Sequence, residues 1–215
     1  KQFDLIVRNC NLNPQPTPIP PKCDDVSNDG FEQFDLSIAI NNALNGLDPA
    51  LYEVSFHTTQ AAADAVGGAS INLVGFNGTT QTIYIRVQEI ADPTNYNTTS
   101  IQLVVNLLPE VIVNSPSICA GDAATVTATV STTGNFSYSW TYPSGATDPG
   151  NVASFATTTP GVYSVVVTNT DTGCVGVAAS GTVTAHALPT VSVNSPEVCA
   201  KGTASLTVTP DSTGS

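Results

Sequence analysis

The sequence predicts an all-β chain of consecutive small sandwich domains, and three observations lead there. β-branched Thr and Val dominate the second half, whereas the helix formers Lys and Glu are scarce and Met is absent. Apolar and polar residues alternate with a period of two in several short stretches, the pattern of half-buried strands. A motif also recurs: Pro-Glu-Val-Ile-Val-Asn-Ser-Pro-Ser-Ile-Cys-Ala from Pro109 returns as Pro-Thr-Val-Ser-Val-Asn-Ser-Pro-Glu-Val-Cys-Ala from Pro189. The offset between Pro109 and Pro189 is the length of one small sandwich.

Taken in order, Lys1 to Cys10 reads as the last strand of a preceding domain. Asn13 to Pro21, with a proline at nearly every second position, reads as a polyproline II spacer. Residues 1–20 are therefore expected to be a domain end plus linker. Within 21–109, strands are expected at Leu51–Thr58, Thr82–Glu89 and Ser100–Asn106, with one or two helical turns where Ala is dense, at Gln60–Val66. Leu108-Pro109 and Leu188-Pro189 mark joints, because Pro fixes φ, removes a donor and ends the preceding strand. Between them, 110–189 carries Ala124, Val126, Ala128 and Val130 alternating with Thr, then Phe136, Tyr138, Trp140 and Tyr142 alternating with Ser and Thr. Strands at Val162–Thr168 and Val175–Ala185 follow, and residues 190–215 open a further repeat. The expectation is tandem Ig-like or PKD-like β-sandwich domains in an extended array, with Trp140 as core filling rather than a binding platform.

Composition removes several functions. Seventeen acidic against five basic residues give a net charge of −12, and nucleic-acid binding draws its affinity from clustered Lys and Arg. No apolar run is long enough to cross a bilayer, so membrane insertion is not expected, and no signal peptide opens the chain. The chain reads as an excerpt of a longer polypeptide. No credible active site is apparent: His57 and His186 stand alone, and no Gly-x-Ser-x-Gly or phosphate-cradling loop occurs. The protein is expected not to be an enzyme.

Five cysteines in a Thr-rich, Met-free chain point to an oxidising compartment. Cys119, at the start of the complete repeat, and Cys174, after its Asn-Thr-Asp-Thr-Gly turn, can lie at strand ends on the same side and are expected to be bridged. Closing that loop of 174 − 119 = 55 residues would contribute roughly 3 to 5 kcal/mol. Cys199 is the repeat equivalent of Cys119. Cys10 and Cys23 flank the Pro-rich stretch and either bridge it or pair within their own domains. Asp24, Asp25, Ser27, Asn28 and Asp29 cluster hard oxygen donors ahead of Gly30, which suits calcium; three carboxylates serve equally well as turn formers. The end of the calcium-loop pattern is missing, since Leu36 stands where a bidentate Glu belongs.

The repeat Leu-Pro-x-Val-x-Val-Asn-Ser-Pro-x-x-Cys-Ala from Leu108, with Ser137-Tyr-Ser-Trp, Pro160-Gly-Val-Tyr-Ser-Val-Val-Val-Thr-Asn and Thr172-Gly-Cys, resembles the PKD-like or Ig-like repeats of giant Bacteroidota surface proteins. Cys23-Asp-Asp through Asn28-Asp-Gly-Phe-Glu-Gln-Phe-Asp-Leu, then Leu51-Tyr-Glu-Val-Ser-Phe-His and Gln81-Thr-Ile-Tyr-Ile-Arg-Val, is similar to a second repeat type of the same proteins. The resemblance, to gliding-motility adhesins of the SprB type, implies export by type IX secretion and display on the outer surface. It also implies attachment to outer-membrane gliding machinery through other regions, contact with neighbouring repeats of the same chain, and surface polysaccharide as a partner. The function it implies is a non-catalytic stalk or adhesive filament in surface attachment and gliding. The alternative is carbohydrate-binding or spacer modules of a secreted polysaccharide-degrading enzyme. The second repeat type usually carries a Thr-Gly-Cys turn before its last strand, where this chain has Tyr96-Asn97-Thr98-Thr99, a departure that favours Cys10 as the partner of Cys23.

Overall fold

The structure is a computed structural model that describes residues 12–210. Its contacts divide the chain into two units, one of residues 1–109 with 169–175, the other of residues 110–168 with 176–215. The strand expected at Lys1–Cys10, and Cys10 itself, lie outside the described residues.

In the first unit the strands are β1 (Lys22–Cys23), β2 (Glu32–Phe34), β3 (Tyr52–His57), β4 (Phe76–Gly78), β5 (Gln81–Glu89), β6 (Tyr96–Leu103) and β7 (Val105–Asn106). β3, β5 and β6 form an antiparallel sheet, β2 pairs with β4, and β1 runs parallel to β7. Alternation decides which residues enter the core: Phe56, Ile83, Ile85, Val87 and Leu103 are fully buried, each worth about 1.5–3 kcal/mol of transfer free energy. Two short helical pieces complete the unit. α1 (Ile40–Ala43) continues a 3-10 turn at Ser37–Ala39. Its apolar face follows the three-and-four spacing of Leu36, Ala39, Ile40, Ala43 and Leu44. α2 (Gln60–Asp64) falls where the Ala-dense stretch predicted it, capped by Thr59, whose hydroxyl accepts the Ala62 amide at 3.1 Å.

The proline-dense stretch corrects an expectation. Leu12 and Ile19 are buried members of the first unit's core, Pro14 is buried too, and Asn97 Nδ2 donates to the Leu12 carbonyl at 2.6 Å. Described residues of this stretch thus pack as part of the first unit rather than as a free spacer. The apolar side chains between the prolines supply the burial that a solvated polyproline segment lacks.

The second unit is an Ig-like sandwich. Its strands are β8 (Val111–Val113), β9 (Ser117–Cys119), β10 (Ala124–Val130), β11 (Phe136–Thr141), β12 (Ser154–Thr157), β13 (Gly161–Asn169) and β14 (Ala179–His186). One sheet has the order β12-β10-β8 and the other β11-β13-β14-β9, with β9 parallel to β14. Between them lie Val126, Ala128, Tyr163, Val165 and Val167, all buried. Trp140 is core filling as expected: it meets Phe155 edge-on at 5.0 Å, and its indole N–H donates to the Val152 carbonyl at 2.9 Å. Phe136 and Tyr138 pack against the same core. Tyr163 is fully buried, and its hydroxyl donates to the Thr159 carbonyl at 2.9 Å, the corner that Ig-like folds place at the start of this strand. Gly181 permits a close backbone approach, since a Cβ there would sit 2.0 Å from the Asn114 carbonyl oxygen.

β15 (Val191–Val193) and β16 (Val208–Pro210) pair only with each other among the described residues, and their register copies that of β8 and β10. Val113 faces Ala128 and Val111 faces Val130; one repeat further on, Val193 faces Val208 and Val191 faces Pro210. Asn114 bridges Thr125 and Thr127 by its amide, and Asn194 bridges Ser205 and Thr207 in the same way. The sequence repeat is therefore a repeat of hydrogen bonding as well.

Candidate functional site

The chemistry-bearing feature of the first unit is the loop that follows Cys23. β1 places this residue opposite Asn106 on β7, and the next amide, of Asp24, donates to the Asn106 carbonyl at 2.9 Å. Asp24 is only 5% exposed, and its carboxylate closes the loop by accepting the amides of Asp25 at 2.8 Å and Gly30 at 2.6 Å. Gly30 sits at φ +82°, where a side chain would be strained. Asp25 accepts the Ser27 amide at 2.7 Å, and Asp29 accepts that of Phe31 at 3.0 Å. Hydrogen bonding from the Ser27 hydroxyl and then from its amide holds the Asp25 carboxyl below its ordinary value. Asn28 uses its amide on the backbone before the joint: Oδ1 accepts from Leu108 N at 2.7 Å and Nδ2 donates to Leu108 O at 3.3 Å.

These residues behave as turn formers, each carboxylate accepting a nearby backbone amide. Among the described residues, no group of three or more His, Cys, Asp or Glu side chains is gathered to hold a metal ion.

The disulfide is not the expected one. Cys23 is bonded to Cys174, with Cα atoms 5.5 Å apart and 151 residues of separation, while Cys119 and Cys199 are exposed free thiols. The expected Cys119–Cys174 bridge is therefore corrected, and so is Cys10 as the partner of Cys23. The parallel pairing of β9 explains the first correction. Cys119 lies opposite His186, at the end of β14, whereas Cys174 precedes the start of that strand at Ala179. Seven steps of extended chain span about 23 Å, far beyond the roughly 7 Å between Cα atoms that a disulfide tolerates.

Cys174 itself is fully buried in the turn 169–175, which belongs to the first unit. Its own residues build that turn. Asn169 Oδ1 accepts the Asp171 amide at 2.9 Å, Gly173 N donates to Asn169 O at 2.8 Å, and Thr172 Oγ1 accepts the Cys174 amide at 3.3 Å.

A second polar cluster lies on the outer face of β3 and β5, around Glu53, Ser55, His57, Arg86 and Gln88. His57 is buried; its Nδ1 donates to the Ala69 carbonyl at 2.8 Å, so Nε2 is left to accept from the Ser55 hydroxyl at 2.8 Å. Arg86, 2% exposed, donates to the carbonyls of Ala63 (2.8 Å), Asp64 (3.1 Å) and Pro93 (2.6 Å) and to Gln88 (2.6 Å), and stacks 3.6 Å from the Tyr96 ring. This arrangement fastens α2 and the loop before β6 to the sheet. His186, the other histidine, bonds the Ser117 hydroxyl at 2.8 Å. No helix of the described residues is long and apolar enough to cross a membrane.

No curated protein matches the chain in sequence. Similar solved structures include Sidekick-1 immunoglobulin domains 1–5, with 14% identity and TM-score 0.30, over 86% of this chain and 42% of that one. The titin I-band fragment I67-I69 is 11% identical with TM-score 0.34, over 64% of this chain and 56% of that one. The insect immune protein hemolin is 13% identical with TM-score 0.37, over 81% of this chain and 46% of that one. The chain thus spans about half the length of these structures. Residues 21–109, which carry Cys23 and its loop, match the family model of the Flavobacterium inter-domain disulphide bond domain.

Proposed function

We propose that the chain is a force-carrying repeat region of a large secreted protein on the outer surface of a Bacteroidota cell, serving as a stalk or adhesive filament in attachment and gliding. In this reading, type IX secretion exports the parent, regions outside this chain fasten it to the outer membrane and gliding machinery, and surface polysaccharide is among its contacts. The observation that carries it is the Cys23–Cys174 bond combined with a repeat whose strand register at Val111–Val113 recurs at Val191–Val193. Tension applied at the two ends would pass through the sulfur bridge and bypass every residue between Cys23 and Cys174. The folded sheets in that loop are then shielded, and length is kept when domains unfold.

Single-molecule stretching tests this. At about 3.4 Å per residue the bridge hides 151 residues, or about 500 Å of contour, which should appear only after reductant is added. Release of that length in oxidised protein would refute the force-carrying role. Calcium in the 24–29 loop is a separate proposal: a melting midpoint raised by calcium and lowered by chelator supports it, and an unchanged midpoint leaves the loop as a hydrogen-bonded turn.

A further inference from the structure

The joint prolines provide a common frame for two cysteines in different domains. Cys23 faces Asn106, three positions before Pro109, and Cys119 faces His186, three positions before Pro189. Each lies on a short strand running parallel to the last strand of its domain. The following residue makes the same backbone bond in both places: Asp24 N donates to Asn106 O at 2.9 Å, and Ala120 N to His186 O at 2.7 Å. Cys23 and Cys119 therefore hold equivalent positions, yet one is bonded and the other is an exposed free thiol.

The partner of Cys23 closes the Asn-Thr-Asp-Thr-Gly-Cys turn of the repeat that begins after the joint. The next repeat begins at Pro189 and copies the first in detail. Its strand register and asparagine bridge recur, and Gly202 N donates to Cys199 O at 2.8 Å as Asp122 N does to Cys119 O at 3.0 Å. Even the left-handed residue recurs, Gly121 at φ +95° and Lys201 at φ +72°. Among the described residues Cys119 is bonded to no other cysteine: Cys174 is taken and lies toward the other end of β14, and Cys199, the other free thiol, holds the repeat-equivalent position of Cys119 itself.

We propose that Cys119 forms a disulfide with the cysteine that closes the equivalent turn of the repeat beginning at Pro189, one repeat length beyond Cys174. Each domain would then be bonded, through the cysteine on its short parallel strand, to the last turn of the domain that follows, and Cys199 would serve the repeat after. The bonded state of Cys23 at the equivalent position is what raises Cys119 above a lone surface cysteine. The oxidation is a thiol–disulfide exchange. The Cys119 thiolate attacks the disulfide of an oxidoreductase, and the mixed disulfide is resolved by the turn cysteine's thiolate. The carrier leaves as a dithiol with the two electrons, and it takes up two protons in place of the two that the cysteines gave to solvent or base, so none is released overall. The inference rests on the repeat and not on the stalk function.

The test is a disulfide map of the parent protein, secreted into an oxidising compartment and containing the whole repeat from Pro189, digested after thiols are blocked and without reductant. The expected result is a Cys119 peptide joined to the peptide of that turn, beside the Cys23–Cys174 pair. In the 215-residue chain alone Cys119 should alkylate fully. Cys119→Ser in the parent should expose one additional alkylatable thiol, at the turn cysteine, and leave Cys23–Cys174 intact. A repeat whose turn carries no cysteine, full alkylation of native Cys119 in the parent, or a Cys119–Cys199 link would each overturn the proposal. The native map needs no variant, so a misfolding mutant cannot obscure it, and a failed stretching experiment would leave it unchanged.

Discussion

Breaking the Cys23–Cys174 bond should be the most damaging two-residue change in the first unit. The perturbation is the double variant Cys23→Ser with Cys174→Ser, made in a background of Cys119→Ser and Cys199→Ser so that no new pairing can form. For a closed loop of 151 residues, loss of the cross-link adds about 5 kcal/mol of chain entropy to the unfolded state, and halving the effective loop alters this by only about 0.6 kcal/mol. The first unit counts 109 + 7 = 116 residues, so its unfolding entropy is about 240 cal/mol/K near 60 °C, and the expected fall in melting temperature is about 20 °C. Differential scanning calorimetry reads the fall directly, and reductant added to the parental chain should reproduce it. Trp140 lies in the second unit, so its fluorescence follows that unit alone. A drop under about 5 °C would mean that noncovalent contacts already confine the unfolded chain, and a Cys119–Cys174 peptide in an unreduced digest of the unsubstituted chain would refute the register argument outright.

Three further outcomes are expected. Arg86→Ala leaves the carbonyls of Ala63, Asp64 and Pro93 without their donor and opens a cavity beside Tyr96, so it should cost about 3–5 kcal/mol in denaturant unfolding followed by far-ultraviolet circular dichroism. Tyr163→Phe removes a buried hydroxyl that donates to Thr159 O and lies 2.8 Å from Thr157 Oγ1, and should cost about 1–2 kcal/mol in unfolding followed by Trp140 fluorescence. Asp25 and Asp35 are both held below the ordinary carboxylate value of 3.8, by the hydroxyls and then the amides of Ser27 and Ser37. A carboxyl depressed in the folded state contributes stability that is present above its unfolded value and lost as pH falls through the folded one. Their part should thus be full above about pH 5, begin to fall near 3.8 and vanish only once the pH is below the depressed folded values; carboxyl NMR titration checks it, and Ser27→Ala and Ser37→Ala should return each group toward 3.8.

Local patterns were legible because they are local. Alternation located β5, β10, β11 and β13 to within a residue or two, since period-two burial is written into the chain itself. The Ala-dense α2 was likewise readable, and Trp140 was placed in the core because a single large aromatic on an alternating strand has few other places to go. The burial of Leu12 and Ile19 was not readable: prolines describe a backbone conformation and say nothing of what the intervening side chains meet. Arg86 shows the same limit. Between Ile85 and Val87 it takes the polar place that alternation assigns, but its burial was not readable, because its partners are backbone carbonyls from α2 and the loop before β6, which carry no residue code.

The sequence by itself determined strand identity and the repeat that runs from Pro109 to Pro189, both properties of spacing and composition. It even held the sign that the first domain lacks an internal partner for Cys23, in the missing Thr-Gly-Cys turn near Tyr96. Which sulfur meets which was decided only by tertiary structure. Parallel pairing of β9 with β14 carries Cys119 toward the Pro189 joint, and parallel pairing of β1 with β7 brings Cys23 to Asn106, beside which Cys174 lies with its sulfur 3.9 Å from the carbonyl oxygen. A disulfide forms between atoms a few ångströms apart, and separation along the chain does not fix distance in space until the strands have chosen their neighbours and direction.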